Sequence, residues 1–386
     1  MSSISDQINN VFLFVADSLR WDYLPDQIAS KGTVFKTVAA GGKTVHTFPT
    51  LATGLYPQEY GIKSWGDTLP DKIDSIYDVD SLNTGFFNPG PAGDALSTVL
   101  GANAVTELTD LDPPFFHIEQ EPSPHAPHAG YTNSRKYFDD RVNDLEQMRA
   151  DYREGIAESI SVFKDRLQEL EDRALLDETL VIFTSDHGEL LGEYGELLHS
   201  SPLCPELVYV PTVFIHPTLS EDDFFVDSDT EIIEQVDIAR TAFSLLGDPL
   251  QGMHGTDILF QERDYQYGHS FAKVAHNGVT FYSANSIWWY DSGYVLADNR
   301  RTERFLYPLV YSIKGAHRKY VRRNLLSLMG HYVKSSHTFG RPPIGKPEAK
   351  NIVEEFLSNI ERRTRVEAEL DERAKETLKD LGYRPK

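Results

Sequence analysis

The sequence predicts an α/β fold with a mostly parallel central sheet, helices on both of its faces and a smaller antiparallel sheet towards the C-terminus. Two apolar runs of strand length are each followed by an aspartate, the run 11–16 directly and the run 180–184 after one serine. Between them, apolar residues recur every three or four positions from 142 to 170, which predicts a long amphipathic helix. A strand, a helix and a strand in this order indicate a right-handed parallel crossover.

The composition limits the classes of function. The chain has 386 residues, with 59 Asp and Glu against 37 Lys and Arg, so its formal net charge is −22. A surface this acidic argues against nucleic acid and anionic membranes as partners. An anionic substrate would therefore need a metal ion or a local cationic cluster in its site. Because the acidity is spread along the chain, we also expect a halophilic source.

The cysteine count and the first residues predict the compartment. Cys204 is the single cysteine, so no disulfide can form within the chain. No basic segment followed by a long apolar one is found near the start, and the apolar run at 11–16 is far too short to span a membrane. We therefore expect a cytoplasmic protein without stable membrane insertion.

Candidate ligands follow two of the predicted strands. Asp17 comes directly after the first strand, and Asp186 and His187 come after the strand at 180–184. Ligands of open parallel sheets bind beyond the carboxyl ends of the strands, so we expect these side chains to converge. Carboxylates and imidazole are natural ligands for a divalent metal. Taken alone, the tetrapeptide 185–188 is more simply interpreted as a solvated turn, and only its combination with other motifs favours a site.

Loops between these strands carry further polar residues. The segment Gly41–Thr44 resembles the end of a phosphate-binding loop, but Thr37 stands where that motif needs a glycine, so we reject a nucleotide site. A proline-rich loop after an apolar run presents His125 and His128, and a glycine-rich loop leads to His199. In isolation, such loop histidines are as often ordinary surface residues.

The second half of the chain is organised by periodicity and turn signals. Pro211 interrupts one predicted strand, which we therefore expect to be bulged or near a sheet edge. Turn signals such as Asn277-Gly278 separate short aromatic and β-branched runs, which predicts antiparallel hairpins. We expect a catalytic α/β domain over 8–260 and a C-terminal subdomain over 261–386. The remaining predicted elements are a strand over 208–215, a helix over 232–246, the antiparallel runs over 265–309 and a helical tail over 351–381.

Taken in order, these motifs resemble the sulfatase branch of the alkaline phosphatase superfamily. The resemblance extends from about Val11 to Tyr383 and implies an alkaline-phosphatase-like three-layer sandwich. Thr184–Glu189 matches the family's Ser-Asp-His-Gly-Glu box closely. The other similar segments are Phe14–Asp22 (first metal-binding segment), Thr53–Gly61 (the element after the nucleophile, with Tyr60 in place of His), Pro124–His128 (a Pro-His-x-Pro-Tyr loop), Val236–Thr241 and Leu381–Tyr383.

The resemblance also implies a nucleophile at Thr44, with Thr47 as the competing register. Sulfatases have Cys or Ser at this position, followed by Pro or Ala and then Arg, and oxidise it to formylglycine. His46 and Phe48 replace the two following residues here, and threonine cannot yield the aldehyde. Threonine nucleophiles occur instead in the superfamily's phosphodiesterases and phosphoglycerol-type transferases.

The expected chemistry is metal-assisted cleavage of a small anionic ester, a phosphate or a sulfate, through a Thr44 alkoxide. One divalent ion, Mn, Mg or Ca with Zn also suitable, would be bound by Asp17, Thr44, Asp186 and His187. His125 and His199 would protonate the leaving oxygen or stabilise the equatorial oxygens, and Lys43 would supply a positive charge. Two alternatives are a phospho-headgroup transferase of the same fold and a non-catalytic descendant that binds an anion or a glycan. The sequence does not indicate an oligomeric state.

Overall fold

The computed structural model describes residues 7–90, 92–102, 106–199, 202–247, 250–276, 279–364, 366–368, 370 and 372–381. The predicted turn at Asn277-Gly278 and the landmark residues Gly382 and Tyr383 lie outside these ranges.

The strands are β1 Asn10–Ala16, β2 Thr33–Val38, β3 Asp67–Thr68, β4 Asn83–Phe87, β5 Phe115–Glu121, β6 Thr179–Thr184, β7 Leu190–Leu191, β8 Leu197–Leu198, β9 Tyr209–Ile215, β10 Ile232–Glu234, β11 Gly268–His276, β12 Val279–Trp289, β13 Ser292–Ala297, β14 Ser336–Phe339 and β15 Val366–Glu367. The helices are α1 Asp26–Ala29, α2 Thr44–Thr53, α3 Pro57–Tyr60, α4 Gly93–Leu100, α5 Ser134–Arg141, α6 Leu145–Asp172, α7 Pro205–Val208, α8 Gln235–Leu245, α9 Arg301–Lys314, α10 Arg318–Arg323, α11 Leu325–Tyr332, α12 Lys346–Asn359 and α13 Glu372–Asp380.

The central sheet has seven strands in the order β10-β2-β9-β6-β1-β5-β4. All neighbouring pairs are parallel except those made by β9, which is antiparallel to both β2 and β6. On one face, Val11 and Leu13 of β1 join a core with α2, α4 and α8, and on the other face Phe12 and Phe14 pack with α6. The predicted mostly parallel sheet with helices on both faces is therefore confirmed.

The long helix predicted over 142–170 is α6, which begins three residues later and ends at Asp172. Its buried residues include Tyr152, Ile156, Ile160 and Phe163, which pack on β1 and β6. The helix delivers the chain to β6, and β6 lies parallel to β1. This crossover brings the two aspartate-bearing strand ends side by side.

The prediction for the strand around Pro211 was wrong about its place in the sheet. β9 lies inside the sheet between β2 and β6, and its pairing with β2 continues through Lys36 and Pro211. On its other side, β9 pairs with β6 only as far as Thr184 opposite Thr212. The Thr184 hydroxyl donates to the Pro211 carbonyl at 2.9 Å. Pro211 thus lies just past the end of β6, where no ladder hydrogen bond needs its missing N–H.

Two helix predictions were too long. Residues 232–234 form the edge strand β10, which pairs with Lys36–Val38 of β2, and α8 begins only at Gln235. The predicted tail helix is broken after Asn359. There the extended chain bonds back to the Glu59 and Gly66 carbonyls through the amides of Arg363 and Ala368. In both places, pairing with a distant backbone overrides local periodicity.

The antiparallel sheet predicted towards the C-terminus is present, in the order β11-β12-β13-β14. It ends earlier than predicted, because Arg301–Lys314 is α9, and it gains β14 from residues 336–339. β11 contacts the central domain where the Phe271 amide donates to the Ala40 carbonyl at 2.9 Å. Among the described helices, none is both long and apolar enough to cross a bilayer.

Candidate active site

Three candidate metal ligands meet at the carboxyl edge of the central sheet. Asp17 follows β1 and Asp186 and His187 follow β6, and the two strands are adjacent, with Val15 opposite Thr184. One ligand atom from each of these three side chains lies within 4.8 Å of the others, and all three residues are buried. We call Asp17, Asp186 and His187 the first ligand group. The strand-end rule used on the sequence predicts this convergence.

Asp17 is held by the side chain of Gln120 in the neighbouring strand β5 and by the adjacent Ser18 hydroxyl. Its Oδ2 accepts a hydrogen bond from Gln120 Nε2 at 2.7 Å, and its Oδ1 accepts one from the Ser18 hydroxyl at 3.0 Å. Gln120 lies in β5 and is itself fixed by Asn88, whose Nδ2 donates to Gln120 Oε1 at 2.5 Å. These contacts set the direction of the Asp17 carboxylate before any ligand arrives.

Asp186 and His187 are oriented by backbone groups. Asp186 Oδ1 accepts hydrogen bonds from the amides of Ser18 at 3.0 Å and His187 at 2.9 Å. His187 Nδ1 lies 2.9 Å from the Gly188 carbonyl oxygen, which assigns the ring proton to Nδ1 and leaves the Nε2 lone pair for a ligand. Asp186 Oδ2 accepts no hydrogen bond from the described residues and lies 3.2 Å from His187 Nε2.

Ser18 has a backbone conformation that non-glycine residues rarely adopt, with φ of 65°. Its amide donates to Asp186, and its carbonyl accepts the Tyr152 hydroxyl at 2.8 Å. The same Tyr152 oxygen accepts the Arg20 amide at 3.1 Å. The left-handed turn therefore joins the ends of β1 and β6 to helix α6, at a functional edge where such strain is common.

Thr44 is the first residue of α2 and lies beside the first ligand group. Its Oγ1 is 3.3 Å from His187 Nε2. The positive end of the helix dipole favours negative charge at this position. The competing residue Thr47 directs its hydroxyl to the carbonyls of Lys43 and Thr44 at 3.1 and 3.2 Å. This geometry favours Thr44 over Thr47.

The donor set fits a divalent cation. Burial and the neighbouring charge of Asp186 raise the pKa of Asp17 well above its usual value. A cation would remove this repulsion, and the unbonded Asp186 Oδ2 is a ready ligand atom. Two carboxylates, one imidazole and one hydroxyl suit Mn, Mg, Ca or Zn. The residues present are therefore those that the predicted metal requires.

His125 and His199 come together in an adjoining group with Glu189. One ligand atom from each lies within 4.8 Å of the others, and we call these residues the second ligand group. The His199 ring also contacts that of His187, with centroids 4.1 Å apart. Burial lowers the pKa of His125 to about 3 and that of His199 well below its usual value. Both rings are therefore neutral at pH 7, which makes them weak proton donors.

Lys43 lies next to Thr44 and is half-buried. Its ammonium donates to the Lys273 carbonyl at 2.8 Å. Burial lowers the pKa of Lys43 to about 8, so it remains mostly charged at neutral pH but can give up its proton. His128, by contrast, turns away from the ligand groups, with Nδ1 3.2 Å from the Ser123 carbonyl oxygen.

Residues that depart from the sulfatase pattern pack inside the protein. Phe48 is fully buried in the core. The Tyr60 hydroxyl donates to the His46 carbonyl, and this hydrogen bond joins α3 to α2. His46 itself is buried against the Phe271 ring, with centroids 5.5 Å apart. These departures support the position of Thr44 without facing it.

Two cavities of opposite character open on Thr44. In the first cavity, of 460 Å³, every charged lining residue other than histidine is acidic, and we call it the acidic cavity. The second, of 220 Å³, contains lysines and no acidic residue, and we call it the lysine cavity. Thr44, Trp65 and His125 line both. The acidic cavity includes Asp17, Asp151, Glu154, Glu158 and Asp380, and the lysine cavity includes Lys43, Lys63, Lys314, Phe281, Tyr307 and Tyr311.

Sequence reasoning missed the amides that support the site. Gln120 could have been found from the polar end of β5, by the rule that found Asp17. Gln235, the first residue of α8, carries no such signal. Its Nε2 donates to the carbonyls of Ser185 and Asp186 at 3.0 and 2.8 Å, and its Oε1 accepts the Ala40 amide at 2.8 Å. It thereby ties the ends of β2 and β6 together.

Comparison with known proteins gives matches over most of the chain. The family model described as Sulfatase matches residues 67–248, which include Asp186 and His187 but not Asp17 or Thr44. The "Low-salt glycan biosynthesis sulfotransferase Agl7" of Haloferax volcanii is 30% identical over 402 residues, covering 97% of this chain and 96% of that protein.

Solved structures share the fold. A phosphonate monoester hydrolase of Agrobacterium radiobacter superposes with a TM-score of 0.55 at 17% identity, covering 84% of this chain and 96% of that one. A 2-O GAG sulfatase gives a TM-score of 0.57 at 12% identity, covering 90% of this chain and 100% of that one. Together with the full-length relative and the family model, these likenesses show that the chain belongs to the sulfatase family of the alkaline phosphatase superfamily.

Proposed function

We propose that the protein is a metal-dependent enzyme that cleaves a sulfate or phosphate ester by attack of the Thr44 hydroxyl on sulfur or phosphorus. The observation that carries this proposal is the position of Thr44 Oγ1, at the start of α2 and 3.3 Å from His187 Nε2, beside two buried carboxylates. When bound by Asp17, Asp186, His187 and Thr44, the divalent ion would lower the pKa of the hydroxyl and offset the negative charge of the substrate.

In the first half-reaction, the Thr44 hydroxyl loses its proton to solvent, a bond forms between Thr44 Oγ1 and the central sulfur or phosphorus, and the bond to the leaving oxygen breaks as that oxygen takes up a proton. Lys43 is the stronger acid for protonating that oxygen, because the pKa of its ammonium is lowered to about 8 while the histidines are neutral. His125 and His199 would donate N–H groups to the non-bridging oxygens. Of the two roles that the sequence suggests for the histidines, protonating the leaving oxygen and stabilising the equatorial oxygens, this assignment gives them the second.

In the second half-reaction, the Thr44 ester must be broken by attack at sulfur or phosphorus. A threonine ester has no geminal hydroxyl, so the group cannot be expelled in the way that a formylglycine adduct allows. The attacking oxygen comes from water or from an alcohol, and the Thr44 oxygen takes back a proton. The same displacement therefore serves hydrolysis and group transfer, and the acceptor decides between them.

Group transfer is the second candidate, and two observations favour it. The acidic cavity and the lysine cavity both reach Thr44, which leaves room for a donor on one side and an acceptor on the other. In addition, the full-length relative at 30% identity is named a sulfotransferase. An anionic donor would fit the lysine cavity, since three lysines offset its charge there.

The test is turnover of four aryl esters, a sulfate, a phosphate monoester, a phosphodiester and a phosphonate, with and without a polyol acceptor. Chelated protein receives Mn, Mg, Ca or Zn in high salt. The proposal predicts metal-dependent release of the aryl alcohol that is lost in Thr44→Ala. Release that increases with the acceptor, with the group recovered on the acceptor, indicates transfer. Metal binding without any turnover would instead favour an anion- or glycan-binding protein.

A further inference from the structure

The helices α9, α10 and α11 carry a charge opposite to that of the rest of the chain. Residues 300–334 contain nine Lys and Arg and a single acidic residue, Glu303, which gives a formal charge of +8. The rest of the chain must then carry −30 for the total to be −22. We call residues 300–334 the basic segment. The average charge, from which the sequence predicts no anionic membrane as a partner, does not describe this part of the molecule.

The charges of the basic segment face solvent and are only partly offset by the protein. Seven of its nine Lys and Arg residues are exposed. Arg318 and Lys319 share one carboxylate, that of Asp139, each at 3.1 Å. Arg322 donates from Nε to the Ser312 carbonyl at 2.7 Å, a neutral acceptor that does not cancel its charge. The surface of these helices therefore attracts anions.

The outward face of α9 is apolar as well. The side chains of Phe305, Leu306 and Ile313 are 44%, 48% and 64% exposed. With the half-buried Leu309, they lie within an arc of about 100° at 3.6 residues per turn. The opposite face, which includes Tyr307, is buried in the protein. Because a surface helix normally turns polar residues to solvent, this arc is unusual, and we call its four residues the apolar stripe.

The surface of a bilayer that contains anionic lipids fits both features. Its headgroups match the basic segment, and the boundary of its acyl chains covers an apolar stripe. A second copy of the chain on a twofold axis would instead bring +8 against +8. A nucleic acid would meet the charge but would leave aliphatic side chains such as Leu306 and Ile313 without an apolar partner. The combination therefore favours a lipid surface.

We propose that the apolar stripe and the basic segment dock the protein on a bilayer that contains anionic lipids. The helix α9 lies in the plane of the interface, with the stripe towards the acyl chains, and no spanning helix is needed. On the opposite side of α9, Tyr307, Tyr311 and Lys314 line the lysine cavity. Docking therefore brings the cavity that opens on Thr44 close to the bilayer, where an ester carried by a lipid could enter it. This last consequence rests on the proposed function, whereas the docking itself does not.

The test is flotation with vesicles of phosphatidylcholine, with or without phosphatidylglycerol, at the lowest salt concentration that keeps the protein folded, since salt screens surface charges. Full-length protein is expected to bind the anionic vesicles at least about tenfold better than the neutral ones. Leu306→Gln combined with Ile313→Gln should lower that binding by about tenfold or more. Phe225→Gln combined with Phe260→Gln is the matched control, because these side chains are 52% and 44% exposed outside the basic segment, and it should bind as the wild type does.

Absence of binding, equal binding to both kinds of vesicle, or unchanged binding in the Leu306/Ile313 variant would overturn the proposal. So would a dimer or an RNA complex that this variant abolishes while vesicles remain unbound. If the variant fails to fold, amide hydrogen exchange of the wild type decides the question. Anionic vesicles should slow exchange in 301–314, and unchanged exchange there contradicts docking. None of these measurements uses ester turnover, so failure of docking and failure of the Thr44 chemistry are distinguishable.

Discussion

The two ligand groups beside Thr44 differ in how their carboxylates are held. In the first group, Asp17 accepts side-chain hydrogen bonds from Gln120 and Ser18, and Asp186 accepts two backbone amides. In the second, neither oxygen of Glu189 has such a partner among the described residues. The first group is thus oriented by hydrogen bonds within the protein, whereas at Glu189 the nearby charge of Arg20 offsets only part of the cost of burial and the pKa of the carboxyl is raised well above its usual value. This difference predicts that the two groups respond differently to mutation and to metal removal.

The largest effect is expected from removing charge in the first ligand group. Asp186→Asn should lower kcat/KM by about 1,000-fold or more, about 4 kcal/mol of transition-state stabilisation, because the Thr44 hydroxyl loses its metal. Steady-state kinetics with parallel metal analysis measures both effects. Asp291→Asn, at an exposed carboxylate that pairs with the buried Lys36, is the control and should change neither. Unchanged activity in Asp186→Asn would remove the first group from the mechanism.

Substitutions at Thr44 should separate metal binding from chemistry. Thr44→Ala should also lower kcat/KM by about 1,000-fold, while metal affinity falls by no more than about tenfold, because three other ligands remain. Thr44→Ser retains the hydroxyl and should recover most of the activity. Thr47→Ala removes only hydrogen bonds to helix carbonyls and should leave kcat/KM within a few-fold. A Thr47→Ala variant as inactive as Thr44→Ala would reverse this assignment.

Gln120→Met tests the orientation of Asp17 directly. It removes the 2.7 Å hydrogen bond to the carboxylate but keeps the approximate size of the side chain. Loss of such an orienting contact typically lowers metal affinity by about 10- to 100-fold. Isothermal titration with Mn measures it, and added metal should restore activity. Activity that is lost but not rescued by metal would mean that Gln120 contacts the substrate instead.

The pH dependence of metal stabilisation gives the smallest expected effect. Burial and Asp186 raise the pKa of Asp17, so the metal-free folded chain holds a proton there to a higher pH than the unfolded chain does. Protonated Asp17 therefore contributes to the free energy of unfolding of the metal-free protein. This contribution is fully present below the usual pKa of an aspartate and is lost as the pH rises through the raised pKa of Asp17. Metal competes with that proton, so the Tm difference between loaded and chelated protein should widen from pH 5 to pH 8. Thermal unfolding at both pH values measures the change, and a difference that narrows with pH contradicts it.

The sequence was informative where the chemistry follows a local rule. Asp17, Asp186 and His187 each follow an apolar run, so their convergence could be predicted from strand ends alone. Thr44 required the family resemblance, because its contact with His187 joins distant parts of the chain. Gln120 lies at the polar end of β5, so the strand-end rule could have found it, whereas Gln235 at the start of α8 carries no such signal. The edge strand Ile232–Glu234 was missed because three residues paired to β2 look like the start of the following helix.

The most direct measurement is to trap the covalent ester on Thr44. Metal-loaded protein is mixed with the aryl ester that it turns over best, quenched in acid within the first turnover and digested for peptide mass spectrometry. The account predicts one sulfuryl or phosphoryl group on the peptide that contains residues 43–48, located at Thr44, and none in Thr44→Ser treated without metal. A sulfuryl or phosphoryl group found on Thr47 or on another residue would contradict the account, provided that it forms as fast as product is released.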